Sequence, residues 1–217
     1  STFWQDFKAG FHYIITWRGL VILLGLVMVI NFFYSATEPL TPLLITNHFR
    51  GGASQLGWWL SSFAIGTVLG GLVLGVWGGF KRKIVTAQLG LILMGISTAA
   101  VGIVPSDLFI VGLIANSVVG FLLPIINGSF GATLQAVIAP DMQGRVFAFI
   151  LSAAMLVSPL ALMIAGPFAD ALGIQLWFLI AGISCVVMGT FGFFSSDVMN
   201  MENKSKEDAR HVVTEPS

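Results

Sequence analysis

Six long stretches without one charged side chain divide this 217-residue sequence: 19–37, 51–80, 84–106, 108–140, 146–169 and 171–196. Each approaches or exceeds the ~20 apolar residues that carry a helix across a hydrocarbon core. No other feature restricts the fold as much. With no water in the bilayer, backbone N–H and C=O groups must pair within the segment or in a closed barrel. The stretches are continuously apolar rather than alternating with a period of two, so helices are expected and barrel strands are not. Charged residues make up only 9% of the chain, against about 25% for a soluble domain. Too little polar surface remains to cover a globule in water, and the apolar surface must meet a lipid bilayer. The expected fold is an all-α membrane protein with six transmembrane helices, at about 20–44, 56–77, 84–104, 108–138, 147–168 and 174–194.

The basic residues set an orientation. With the N-terminal segment on the cytoplasmic side, Lys8, Arg18, Lys81, Arg82, Lys83, Arg145, Lys204, Lys206 and Arg210 all fall inside, and Arg50 alone falls outside. Nine of ten basic residues on one side is the positive-inside pattern of a multi-pass plasma-membrane protein with both termini cytoplasmic. One span more or fewer would scramble it. Residues 1–18 read as an amphipathic, aromatic-rich cytoplasmic lead-in, 19–195 as the six-helix membrane domain, and 196–217 as a disordered, polar cytoplasmic tail. The lead-in has neither an initiator Met nor a signal-peptide pattern, and is what a connection between two membrane halves would look like; the start of the protein is expected upstream.

Polar residues inside apolar spans are the candidates for function, because burying them in lipid is costly. In the first span Asn31, Tyr34, Ser35 and Glu38 lie at offsets 0, 3, 4 and 7 and share one helical face, while Thr37 falls outside it. Glu38 is the only acid within a span. It either faces a cavity, as a substrate or proton site, or snorkels to the outer rim, since it stands roughly 28 Å along the helix from Gly19. Pro39 and Pro42 break the helical ladder behind it. In the fourth span Asn116, Gly120, Pro124, Asn127 and Gly131 form a second stripe, with Thr133 and Gln135 near its inner end. These carboxamides line a cavity or hydrogen-bond between helices; Pro124 predicts a kink. Small residues recur every four positions at Ser62/Gly66/Gly70, Gly71/Gly75/Gly79 and Ala161/Ala165/Ala169. Such stripes let helices approach closely, as static packing or as sliding surfaces.

Several functions are disfavoured. His12, His48 and His211 lie outside the expected spans, so no intramembrane base stands beside a nucleophile, and the 127–131 stretch is only superficially like a nucleophile elbow. Cys185 is a lone, apolar-run cysteine, so neither a disulfide nor a thiolate metal site is expected. No nucleotide-binding lysine loop appears, no cofactor is called for, and net charge is zero, with no basic stripe for nucleic acid.

A run of short motifs in a fixed order carries a family resemblance. Ala139-Pro140-Asp141-Met142-Gln143-Gly144-Arg145-Val146-Phe147 joins the fourth and fifth spans; Ser158-Pro159-Leu160-Ala161, Ala165-Gly166-Pro167-Phe168-Ala169-Asp170-Ala171-Leu172-Gly173 and Trp177-Phe178-Leu179 follow, and Gly75 to Lys83 (GVWGGFKRK) precedes them. From Asn47 to Ile183 the chain resembles the second half of major facilitator superfamily transporters, above all bacterial macrolide-efflux-type drug exporters. The resemblance implies one half of a twelve-helix fold, partnered by an N-terminal six-helix half. It also implies proton-coupled antiport of small amphipathic substrates such as macrolides, by alternating access. It further implies a cytoplasmic gate at Lys81, Arg82, Lys83, Asp141 and Arg145, for which plain positive-inside topology is the alternative. Gly79 departs from the family, which commonly has Asp there. An inactive or structural half that needs a partner half is the competing expectation.

Overall fold

The computed structural model describes His12 and residues 14–201. Six helices in it are long and apolar enough to cross a membrane. The first is a composite rod: α1 (Arg18–Ser35), α2 (Thr37–Leu43) and a π-helical turn (Leu44–His48). Then come α3 (Ala53–Trp77), α4 (Lys83–Ile103), α5 (Phe109–Val137), α6 (Pro140–Leu172), α7 (Ile174–Phe194) and a short α8 (Ser196–Met199). No strand occurs among the described residues, and the protein is an all-α membrane protein as the charge-free stretches require.

The breaks in the first rod follow from its prolines. Pro39 has no N–H to give to the Ser35 carbonyl, and Pro42 none to give to Glu38, so the ladder is lost where α1 ends. Thr37 Oγ1 donates to the Tyr34 carbonyl at 2.6 Å, and Thr41 Oγ1 to the Thr37 carbonyl at 2.9 Å. Beyond Leu43 the rod widens into the π turn, closed by Phe49 N–H on the Leu44 carbonyl at 3.2 Å. Pro124, by contrast, lies within a helix that continues unbroken from Phe109 to Val137.

Two glycine-rich interfaces hold the bundle together. On α3, a Cβ at Gly66 or Gly70 would run into the backbone of Ser117 and Phe121 on α5, and Gly120 of α5 meets the Phe63 carbonyl in return. On α4 and α7, Gly95 and Gly182 face each other across the same kind of contact. Backbones this close gain dispersion energy that a Cβ would abolish. The stripe Ser62/Gly66/Gly70 is therefore an interface at Gly66 and Gly70. A Cβ at Gly71 or Gly75 would meet nothing within 4 Å among the described residues, and Gly79 belongs to a loop at φ +78°. Ala161, Ala165 and Ala169 of α6 are buried against Ala36, Leu40, Trp177 and Phe178 in a cluster at the end of the bundle expected to be the outer one.

At the inner end, Leu20, Leu24, Ile84, Leu134, Ile138 and Val146 form a second cluster that also takes in Val198 and Met201. Residues 196–201 thus depart from the expected disordered tail: Val198 is fully buried and Met201 is 2% exposed. Their apolar side chains complete the floor under α1, α4 and α7, which a polar tail would leave open. Residues 202–217, the rest of that expected tail, lie outside the described residues, as do most of the lead-in residues. The fifth span also begins earlier than expected. Ala139 N-caps α6 and Pro140 starts it, where a missing N–H costs nothing, so Asp141 and Arg145 lie in its first two turns rather than in a loop.

Candidate functional site

Two cavities run along the first rod. The outer one, about 260 Å³, takes Tyr34, Thr37, Glu38 and Thr41 from the rod, with walls from α3, α4, α5 and α7. Trp59, Phe63 and Phe178 supply aromatic surface, and Thr98 and Asn116 polar surface. The inner one, about 370 Å³, is lined by Asn31 and Tyr34, by Gln88 of α4 and Asn127 of α5, and by apolar residues that include Phe130 and Phe147. Tyr34 and Leu123 line both cavities.

The outer cavity is chemically one-sided. Thr37, Thr41 and Thr98 have each given their hydroxyl hydrogen to a backbone carbonyl one turn back, at 2.6, 2.9 and 2.9 Å. Asn116 Nδ2 donates across to α3, to the Trp59 carbonyl at 2.8 Å and Ser62 Oγ at 3.0 Å, so its Oδ1 is what remains to bond. An ionised Glu38 only accepts. Apart from the Tyr34 hydroxyl, which can also donate, these side chains meet a ligand with acceptors and aromatic faces, which suits a donor-bearing cation. Asn116 thus bridges two helices and also lines the cavity.

Thr37 was expected off the polar face. The break at Ala36 turns the chain between Tyr34 and Glu38, and Thr37 lines the outer cavity beside both. Asn31 returns its amide to the Val27 carbonyl at 2.9 Å and lines the inner cavity. Ser35 has a buried hydroxyl without a partner among the described residues and lines neither cavity, and Gln135 also stands outside both. Gln135 is exposed near the inner end of α5, where its carbonyl accepts from Gln143 Nε2 at 3.0 Å. Gln88 was missed: one carboxamide in a helix without a polar stripe gives no periodic signal.

At the inner end, Lys83 Nζ donates to the Gly78 carbonyl at 2.5 Å, a cation on the C-terminal end of α3. Lys81 and Arg82 are exposed beside it, Asp141 and Arg145 are exposed on α6, and Arg145 Nη1 lies 3.7 Å from the Met142 sulfur. Where the resemblance leads one to look for an Asp, Gly79 takes a left-handed conformation and Thr86 Oγ1 accepts from Phe80 N–H at 2.9 Å. At the outer end His48, expected outside the spans, closes the first rod and bridges three segments. One ring nitrogen meets the Val104 carbonyl at 2.8 Å and the other Gln175 Nε2 at 2.5 Å.

Comparison with known proteins fits this architecture. Residues 22–216 match the sequence profile of the Major Facilitator Superfamily. Macrolide efflux protein A of Streptococcus pyogenes is 31% identical over 173 residues, covering 79% of this chain and 43% of that protein. Macrolide efflux protein A of Enterococcus faecalis is 30% identical over 145 residues, 67% of this chain and 45% of the relative. Multidrug efflux pump Tap of Mycolicibacterium fortuitum is 28% identical over 170 residues, 77% and 41% respectively. The chain spans less than half the length of each of these relatives.

Proposed function

The chain belongs to the Major Facilitator Superfamily, and from that premise we propose that it is the C-terminal half of a secondary drug exporter working by proton-coupled antiport. Its substrates are small amphipathic amines, macrolides among them, and a six-helix N-terminal half completes the path. The observation that carries the reading is the outer cavity, where Glu38 stands among spent threonine hydroxyls and aromatic rings, and which shares Tyr34 and Leu123 with an apolar inner chamber. A protonated amine pairs with Glu38 and stacks on Trp59 or Phe63, while the apolar body of the substrate fills the inner chamber. Protons and drug then compete for one carboxylate, which is the simplest form of antiport. The drive is adequate: one charge crossing 100 mV releases about 2.3 kcal/mol, more than a tenfold gradient requires.

In this reading the protein lies in the plasma membrane with both ends of the chain cytoplasmic. Lys81, Arg82, Lys83, Asp141 and Arg145 lie at the cytoplasmic gate. Asn31, Asn116 and Asn127 line the path, with Ser35 behind its wall and Gln135 at its inner mouth. Family membership speaks for a transporter rather than an enzyme.

In the complete protein, Glu38→Gln is expected to abolish efflux driven by a pH gradient in inverted vesicles at normal membrane abundance, and Glu38→Asp to retain part of it. Wild-type rates for Glu38→Gln would remove the carboxylate from the mechanism. A cysteine at Ser106 should react with an impermeant thiol reagent from outside and one at Arg82 should not. Outside labelling at Arg82 would overturn the orientation. The half-chain alone should export nothing and regain export with its partner half; failure to regain it would favour an inactive half.

A further inference from the structure

Asn116 of α5 is 8% exposed and lines the outer cavity. Both Nδ2 hydrogens are spent on α3, one on the Trp59 carbonyl and one on Ser62 Oγ. Ser62 gives its own hydrogen to the same Trp59 carbonyl at 2.8 Å. These bonds fix which way round the carboxamide sits, because turning it over would set Oδ1 against the Trp59 carbonyl, acceptor on acceptor. Oδ1 is left with no hydrogen-bond partner among the described residues. Unlike Ser35 Oγ, Ser129 Oγ and Gln88 Oε1, it is not sealed from a water-sized group. An unpaired carbonyl that opens on a cavity is satisfied by what enters the cavity.

The uncharged polar side chains of this cavity are Tyr34, Thr37, Thr41, Thr98 and Asn116. Four of them end in hydroxyls, and the Asn116 carbonyl is the one oxygen among them that carries no hydrogen. With Glu38 it gives the cavity two acceptors, one on the first rod and one on α5. The volume, about 260 Å³, is below the ~300–1,000 Å³ of sites that enclose a drug-sized ligand, so the cavity takes a head group.

We propose that Asn116 is a specificity-determining residue, its Oδ1 selecting amine head groups that carry a further N–H or O–H beside the ammonium. The assignment rests on the reading of the outer cavity as the amine site and deepens it. One ammonium N–H pairs with Glu38, and the further donor goes to Asn116. A protonated tertiary amine has a single N–H, so it meets both acceptors only if a hydroxyl stands close by. A head group without a second donor strips water from the Asn116 carbonyl and returns nothing, which is how a hydrogen-bonding site rejects an analogue.

The test measures binding to the complete protein in lipid nanodiscs of two ligands. One is a macrolide with a hydroxyl next to the dimethylamino group of its sugar; the other has that hydroxyl replaced by hydrogen. Wild type is expected to bind the parent about 3- to 10-fold better, the worth of a neutral hydrogen bond. Asn116→Leu should weaken the parent by that factor, leave the deoxy analogue unchanged and erase the preference. Asn116→Ala, a second variant in case the first does not fold, should give the same pattern. Ser62→Ala loosens the same helix contact but leaves Oδ1 in place, held through the Trp59 carbonyl, and should keep the preference. Equal binding of both ligands by wild type, equal loss for both in the Asn116 variants, or loss of the preference in Ser62→Ala would overturn the assignment while leaving the amine site standing. Binding of both ligands unchanged by Glu38→Gln, or no binding of either to wild type, would remove the amine site and the assignment together.

Discussion

Helices α4 and α6 are both long and apolar, yet they use that character in opposite ways. Of the most apolar window in α4, 56% is buried within the chain; in α6 the share is 6%. α4 packs closely on α7 and α5 through glycine contacts, whereas α6 touches the rest mainly along its alanine stripe. Met155, Leu156 and Met163 of α6 are more than 70% exposed. Hydropathy cannot tell the two cases apart, because lipid and protein are equally apolar surroundings. The difference teaches that α4 with α7 forms the fixed frame, and that α6 carries a surface meant for something outside this chain. Lipid and a partner half are the two candidates, and the proposed transport cycle assigns part of it to the partner.

The sharpest way to break the comparison is to place one methyl group on each helix system. Gly182→Ala puts a Cβ against the backbone of Ala99 and the Gly95 carbonyl, and the frame must part to admit it. A loss of about 3 kcal/mol is expected. Gly166→Ala, where nothing lies within 4 Å, should be neutral or gain up to about 1 kcal/mol from helix propensity. Equilibrium unfolding of the complete protein in mixed micelles compares them, and equal losses would end the distinction. Next in size is the surface of α6. Cysteines at Leu156 and Met163 should lose reactivity towards a membrane-permeant maleimide severalfold when a matching N-terminal half is coexpressed. Unchanged reactivity at both would assign that face to lipid.

A smaller effect is expected at Asn116, which ties α3 to α5 through two hydrogen bonds. Asn116→Leu should cost about 1 kcal/mol in the same unfolding measurement, near the upper range for interhelical bonds in bilayers. A loss as large as that of Gly182→Ala would mean that polar bonds, not close backbones, hold the frame. The smallest effect belongs to the ion pair between Arg18 and Asp197, 3.6 Å apart with Arg18 87% exposed. Asp197→Asn should change stability by no more than about 0.5 kcal/mol, since the buried Val198 and Met201, not the charges, seat α8.

The spans, their number and the break near Pro39 were determined by the sequence alone, because each follows from a local rule. A bilayer demands a continuous apolar run, and a proline N–H is missing wherever the proline stands. Glu38 and Asn116 were legible for the same reason: a polar group in an apolar run is conspicuous without knowledge of its neighbours. Tertiary structure alone decided what those groups face. Thr37 joined Glu38 because the chain turns at Ala36, a turn that ideal helix geometry cannot include. Gln88 became a cavity residue only when Asn31 and Asn127, from segments distant in sequence, came to stand around the same space. Val198 left the polar tail because Leu20 and Ile84 left room for it. Gly66 and Gly71 belong to equivalent four-residue spacings, and only the fold says which one meets a backbone. Local rules fix what a segment must be, while the partner of each side chain depends on close packing between segments distant in sequence.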